Sequence, residues 1–186
     1  MNMEKKVVLG FLIVWFGFWS GARPGYGNEV LSDEQKKARV YQLYDGFHKE
    51  FPEVNDIAVA EAKAQYEANQ AIFIDTRKPK EMAVSHLPGA ISEKTFLNYP
   101  ERYAHLTIIA YCTISYRSGY FAQKMSEAGR TVLNLRGGIL AWTLEGEPIY
   151  HDGQATRRLH VYDKSWDFAP GGYDVVVFKP WEKLLN

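Results

Sequence analysis

Three short apolar stretches that do not alternate constrain the fold of this chain more than any other feature. They are Ala71, Ile72, Phe73 and Ile74; Thr107, Ile108, Ile109, Ala110 and Tyr111; and Thr131, Val132, Leu133, Asn134 and Leu135. A strand with one face in water alternates apolar and polar residues, whereas an unbroken apolar run suits a strand covered on both faces, as in a parallel sheet. Between the second and third runs, Phe121, Met125 and Ala128 fall on one face of a helix over 118–128, and Gly129 is placed to end it. A strand, a helix and a strand within about 30 residues form the parallel crossover unit. The expected architecture is an α/β layer sandwich around a parallel sheet.

The flanks read differently. Ser32, Asp33, Glu34 and Gln35 form a capping box, with Val40, Leu43 and Phe47 following at helical spacing, which predicts a helix over 32–49 ended by Pro52. A second helix is expected over 59–68, with Val59, Ala62 and Tyr66 on one face and Asn69 as its stop. From His151 onward the chain changes character. Two strand-like stretches, 159–162 and 174–178, are separated by a turn-rich segment ending in Ala169, Pro170, Gly171 and Gly172, and are expected to form a hairpin-like extension. Trp166, Phe168, Tyr173 and Trp181 are read there as packing residues, with an aromatic cleft wall as the alternative.

The N-terminus predicts export. Lys5 and Lys6 precede an uninterrupted apolar run from Val7 to Trp19, and Ser20, Gly21 and Ala22 supply small residues for cleavage after Ala22. A helix needs about 20 apolar residues to cross a bilayer, so residues 1–22 are expected to be a signal peptide of an exported, periplasmic protein and not a stable span; an uncleaved anchor is the alternative. The 22 basic and 22 acidic side chains are dispersed, which argues against nucleic acid, since phosphate binding needs clustered cations. The five histidines show no metal-ligand spacing, and are read as packed or solvated; no metal or cofactor is expected.

Cysteine usage gives the first chemical clue. Exported proteins usually pair their thiols, yet Cys112 is the only cysteine. Such a thiol is buried and inert, bonded to another chain, or kept for its reactivity. Cys112 follows the apolar run 107–111 and precedes a helix starting near Arg117 or Ser118, and ligands of parallel sheets bind beyond the carboxyl ends of strands. Thr113, Ile114, Ser115 and Tyr116 must turn the chain sharply, aiming successive N–H groups at the loop centre and creating an anion nest beside a helix N-terminus and Arg117. The anion suited to it is sulfur itself, as thiolate or persulfide.

Several stretches together resemble the rhodanese family. Phe73-Ile74-Asp75-Thr76-Arg77, then Glu81 and His86-Leu87-Pro88-Gly89-Ala90, are similar to its first signature; Tyr111 to Ser118 is similar to its active-site loop; and Asn134-Leu135-Arg136-Gly137-Gly138-Ile139 with Ala141-Trp142 resembles its closing signature. The likeness spans about residues 55–148. It implies a three-layer sandwich with a central five-stranded parallel sheet over residues 55–150, flanked by an N-terminal helical extension (23–54) and a C-terminal extension (151–186). It also implies that Cys112 is the nucleophile and persulfide carrier, with Thr113, Ile114, Ser115, Tyr116 and Arg117 lining the pocket for the substrate. Asp75, Arg77, Glu81 and His86 are expected mainly to hold loops and strand ends.

Loop length narrows the chemistry. Family phosphatases and arsenate reductases use a loop of the form Cys-x5-Arg; here it is Cys-x4-Arg, a pocket for a sulfur atom and not a tetrahedral oxyanion. Ser115 and Ser85 stand where the family often has glycine, so each is a candidate for a restricted backbone position. The expected activity is transfer of sulfane sulfur from thiosulfate or a persulfide to a thiol-type or cyanide acceptor, with a protein as a further candidate acceptor. The residues also leave open a non-enzymatic binding or sulfur-carrier module and a thiol redox sensor.

Overall fold

The computed structural model describes residues 30–162 and 164–179. The expected signal segment, residues 1–22, and Trp181 lie outside them. The chain enters helix α1 (Asp33–His48) through the expected capping box: Ser32 Oγ accepts from the Gln35 amide at 3.3 Å and Gln35 Oε1 accepts from the Ser32 amide at 2.8 Å. The helix ends before Pro52, at a turn that buries Phe51.

Strand β1 (Asp56–Ile57) and helix α2 (Val59–Glu67) lead into strand β2 (Ala71–Asp75). A short helix α3 (Pro79–Met82), strand β3 (Ile91–Ser92) and helix α4 (Glu93–Asn98) follow. Strand β4 (Thr107–Tyr111), helix α5 (Tyr116–Glu127), strand β5 (Leu133–Leu135) and helix α6 (Gly138–Leu144) complete the main layer. The five strands form one sheet in the order β1-β5-β4-β2-β3, every neighbouring pair parallel. The expected five-stranded parallel sheet is therefore present. Among the described residues, no helix is long and apolar enough to cross a membrane.

The unbroken apolar runs are explained by burial on both faces. Successive side chains of a strand point to opposite sides. Phe73, Ile109 and Tyr111 join a cluster with Val40, Leu135, Ile139, Leu140 and Trp142. Ile74 and Ala110, their neighbours in sequence, join Phe51, Phe96, Phe121, Ala122 and Met125 on the other side. The first cluster also takes in Leu159, Val161 and Ala169, so α1 and the C-terminal segment bury apolar side chains against the same sheet face.

The C-terminal segment corrects one expectation. It does contain an antiparallel hairpin, but between β6 (Ile149–His151) and β7 (Gln154–Thr156), joined by Asp152 and Gly153 at φ 47° and 76°, a turn that matches the twist of its strands. The two stretches expected to pair as a hairpin, now β8 (Arg158–His160) and β9 (Asp174–Val176), run parallel. The turn-rich segment between them is pinned to α1: Lys36 Nζ donates to the Ala169 carbonyl at 2.7 Å, and the Gly171 amide donates to Asp33 Oδ1 at 2.9 Å. The chain is drawn back along α1 before β9 starts, and therefore re-enters alongside β8 in the same direction.

Candidate active site

Cys112 sits at the carboxyl end of β4, the middle strand of the sheet, and only 2% of its surface is exposed. Its carbonyl accepts from the Ile139 amide at 3.0 Å, and the Thr113 carbonyl accepts from the Leu140 amide at 3.2 Å. Both carbonyls thus face the first turn of α6. In a trans peptide the N–H lies on the opposite edge from the C=O, and the chain has no cis bond among the described residues. The N–H groups of Thr113 and Ile114 therefore turn away from α6, and among the described residues neither they nor the Ser115 amide donate to a protein acceptor. Amides left without a protein acceptor in this way are what an anion nest requires.

Two glycines permit that docking. Gly137 and Gly138 have φ 69° and 59°, and a Cβ on Gly138 would lie 2.4 Å from the Cys112 carbonyl oxygen. A side chain there would push α6 off the loop.

Ser115 closes the turn in the left-handed region, φ 74° and ψ 8°, the conformation for which glycine is the usual choice. Its hydroxyl donates to the Leu135 carbonyl, and its own carbonyl accepts from Asn134 Nδ2 at 3.0 Å. Asn134 Oδ1 in turn accepts from Ser118 Oγ at 2.7 Å. These contacts tie the loop to β5 and to the first turn of α5. The other serine in a common glycine position, Ser85, is not at positive φ; it is buried, and its carbonyl accepts from Arg77 at 2.6 Å.

A cavity of about 330 Å³ opens on Cys112 and is lined by Thr113, Ile114, Tyr116, Arg117, Tyr162 and Trp166. Thr113 Oγ1 is buried there with no hydrogen-bond partner among the described residues, which leaves a donor for whatever enters. Ser115, by contrast, is wholly buried and supports the loop from behind. Trp166 stacks on Phe47 at 5.9 Å while lining the cavity, so the residue read as packing is also a cleft wall. Phe168 and Tyr173 do pack against the core.

Arg117 is less available than its position suggests. Its Nη1 and Nη2 bind Glu81 Oε2 and Oε1 at 2.7 and 3.0 Å, a bidentate pair. Glu81 Oε2 also accepts from the Lys78 amide at 2.8 Å. His160 Nδ1 lies 3.2 Å from Glu81 Oε1, close enough for electrostatic contact but out of line for a hydrogen bond. Burial alone pushes the Glu81 carboxyl up, yet His160, Arg117 and the Lys78 amide outweigh it and hold Glu81 well below the ordinary carboxylate range. Burial opposes the charge on Arg117, and the Glu81 contact together with the nearby Cys112 raises it above the usual guanidinium value.

Asp75 and Arg77 form a separate buried brace. Arg77 Nη2 and Nε bind Asp75 Oδ2 and Oδ1 at 2.6 and 2.9 Å, and the Tyr111 hydroxyl donates to Asp75 Oδ2 at 2.5 Å. The same hydroxyl accepts from the Leu87 amide at 3.2 Å. His86 Nδ1 lies 2.8 Å from the Leu87 carbonyl, and its backbone bridges Tyr150. These groups hold β2, β4 and the segment before β3 together and lie outside the Cys112 cavity.

A family model described as the rhodanese-like domain matches residues 58–145. A sulfurtransferase of Allochromatium vinosum is 32% identical over 88 residues, which cover 45% of this chain and 81% of that protein. The chain belongs to the rhodanese-like family. An HTH-type transcriptional regulator of Mycobacterium tuberculosis is 33% identical over 99 residues, covering 50% of this chain but only 43% of the regulator; the chain spans less than half the length of that relative. A solved thiosulfate sulfurtransferase from Pseudomonas aeruginosa aligns with TM-score 0.47 at 23% identity, over 66% of this chain and 24% of its own.

In this rhodanese-like chain Cys112, Thr113, Ile114, Tyr116 and Arg117 line one cavity, and Ser115 does not. Three contributors were not among the predicted site residues. Asn134 is a lone amide inside an apolar strand, a signal that a buried polar group is tied to something. Tyr162 and His160 are set beside the loop only by the parallel course of β8 and β9, which no local pattern announces.

Proposed function

We propose that this rhodanese-like protein is a sulfurtransferase in which Cys112 carries sulfane sulfur as a persulfide. The observation that carries the reading is the orientation of the 112–114 peptides: with two carbonyls bound to α6, the Thr113 and Ile114 amides turn away from it without a protein acceptor among the described residues. Such a cradle suits a singly charged sulfur anion. In the first half-reaction the Cys112 thiolate attacks the outer sulfur of a donor; a new S–S bond forms, the donor's own bond to that sulfur breaks, and the electron pair leaves with sulfite or a thiolate. In the second, an acceptor thiolate or cyanide attacks the outer sulfur and Cys112 departs as thiolate. No general base is needed when both nucleophiles arrive ionised. The unpaired Thr113 hydroxyl is a further donor to the outer sulfur.

The test is intact-mass measurement after exposure to a sulfane donor, for the wild type and Cys112→Ser. The expected result is one reducible sulfur added to the wild type and none to the variant, released on addition of cyanide or a thiol. Accumulation of sulfenate or mixed disulfide at Cys112 without sulfur gain would overturn the proposal in favour of a redox sensor.

A further inference from the structure

The cavity over Cys112 is larger than the transfer of one sulfur atom requires. Its volume is about 330 Å³, within the range of small-molecule sites. A water-sized group takes about 30 Å³, so a lone sulfur atom or a cyanide ion leaves most of it unfilled. Its walls are mainly apolar: Ile114 from the cysteine loop, Tyr116 from the start of α5, and Tyr162 and Trp166 from the C-terminal segment. Arg117 is the one cation among the described residues that line it, and both its terminal nitrogens already bind Glu81.

The aromatic wall is fixed before anything binds. Trp166 stacks on Phe47 of α1 with ring centroids 5.9 Å apart, and Phe47 meets Tyr116 edge to face at 5.0 Å. Phe47 and Trp166 also pack against the sheet core. Rings held in this way lose little freedom when a ligand arrives. Phe47, Tyr162 and Trp166 all lie outside residues 58–145, the stretch that the family model matches. This wall is therefore added to the rhodanese-like domain by its two flanking segments.

We propose that this cavity holds the carbon body of the sulfur donor, so that the protein takes organic persulfides R–S–SH whose R is an uncharged group of aromatic size, with Trp166 and Tyr162 setting that preference. This rests on the sulfurtransferase reading above and specifies its substrate class. R lies against the rings, which releases water from apolar surface, and the outer sulfur faces Cys112. The step is balanced: the Cys112 thiolate and R–S–SH give Cys112–S–SH and R–S⁻, with no external oxidant. Thiosulfate has no carbon body to fill the cavity, and its sulfonate would meet apolar walls with Arg117 already engaged.

Single-turnover sulfur uptake by Cys112, read by quenched intact-mass measurement, tests this with the persulfides of 2-phenylethanethiol and ethanethiol and with thiosulfate. The phenyl ring is two carbons from the sulfur, too far to alter the leaving thiolate, so the organic donors differ in bulk alone. The second-order rate constant should favour the phenylethyl donor about tenfold or more, carried mainly by the half-saturating concentration, since a single methylene in an apolar pocket discriminates by about that factor. Trp166→Ala and Tyr162→Ala should each bring the ratio towards one, and Trp166→Phe should keep most of it. Tyr162 is exposed, so its truncation costs the fold little and decides the outcome if Trp166→Ala does not fold. Equal uptake from the two organic donors, uptake from thiosulfate alone, or a ratio unmoved in Tyr162→Ala overturns the subsite and leaves sulfur transfer standing. Absence of uptake from all three donors overturns both.

Discussion

At Ser115 two effects oppose each other. A side chain in the left-handed region costs about 1 kcal/mol, and the hydrogen bond from its hydroxyl to the Leu135 carbonyl offsets about the same amount. Ser115→Gly removes both, so its stability should stay within about 1 kcal/mol of wild type, whereas Ser115→Ala keeps the strain, loses the bond and should fall by about 1–2 kcal/mol. Urea midpoints of the three proteins check this; equal losses in the two variants would show that backbone strain is not part of the balance. Ser115 was marked, like Ser85, because it stands where the rhodanese family often has glycine, and of the two only Ser115 is at positive φ. Cys112 was marked as well, since its place at a strand end follows from the apolar run before it. The partner of Arg117 was not legible in the same way: Glu81 lies 36 positions away and meets it only in the folded chain. His160 was read as packed or solvated, and is buried beside Glu81.

At the scale of elements, the cysteine loop is shaped by the helix that follows β5 as much as by its own residues. Gly138→Ala would place a methyl group against the Cys112 carbonyl, and should reduce sulfur uptake at least about tenfold while costing about 1–3 kcal/mol in stability. Gly119→Ala is the natural comparison. It lies in α5, where a Cβ would meet the Phe51 ring at 2.2 Å; overpacking of about 1–3 kcal/mol outweighs the gain of about 1 kcal/mol that alanine brings to a helix. Thermal melts of both, with the uptake assay on Gly138→Ala, separate packing from loop geometry. Continuous apolar runs made β2, β4 and β5 legible, since a strand covered on both faces needs them. Strands β1 and β3 have two residues each, too few to show any period, and were implied only by the family resemblance. The direction of β9 was set by Asp33 and Lys36 on α1, contacts more than a hundred positions distant, so local turn residues were bound to suggest a hairpin instead.

At the scale of the whole molecule, Glu81 joins three parts of the chain: the start of α3 through the Lys78 amide, α5 through Arg117, and the C-terminal segment through His160. Its carboxyl is held below the ordinary value of 4.5 in the folded protein, and the sign of the consequence follows. The folded state favours ionised Glu81 more than the unfolded chain does, so this contribution is fully present above that ordinary value and is lost as the pH falls through the depressed folded one. Glu81→Gln should therefore be less stable than wild type by about 2–3 kcal/mol near neutral pH, since it leaves Arg117 without its partner. The difference should shrink as the pH falls below the ordinary value of 4.5, because the unfolded wild type then takes up a proton at Glu81 that the folded protein resists. Urea unfolding of both proteins from about pH 7 down to about pH 3 measures it directly, and other carboxylates cancel in the comparison. A constant difference across that range would mean that glutamine disturbs packing and that the charge of Glu81 does not hold the C-terminal segment over the cysteine.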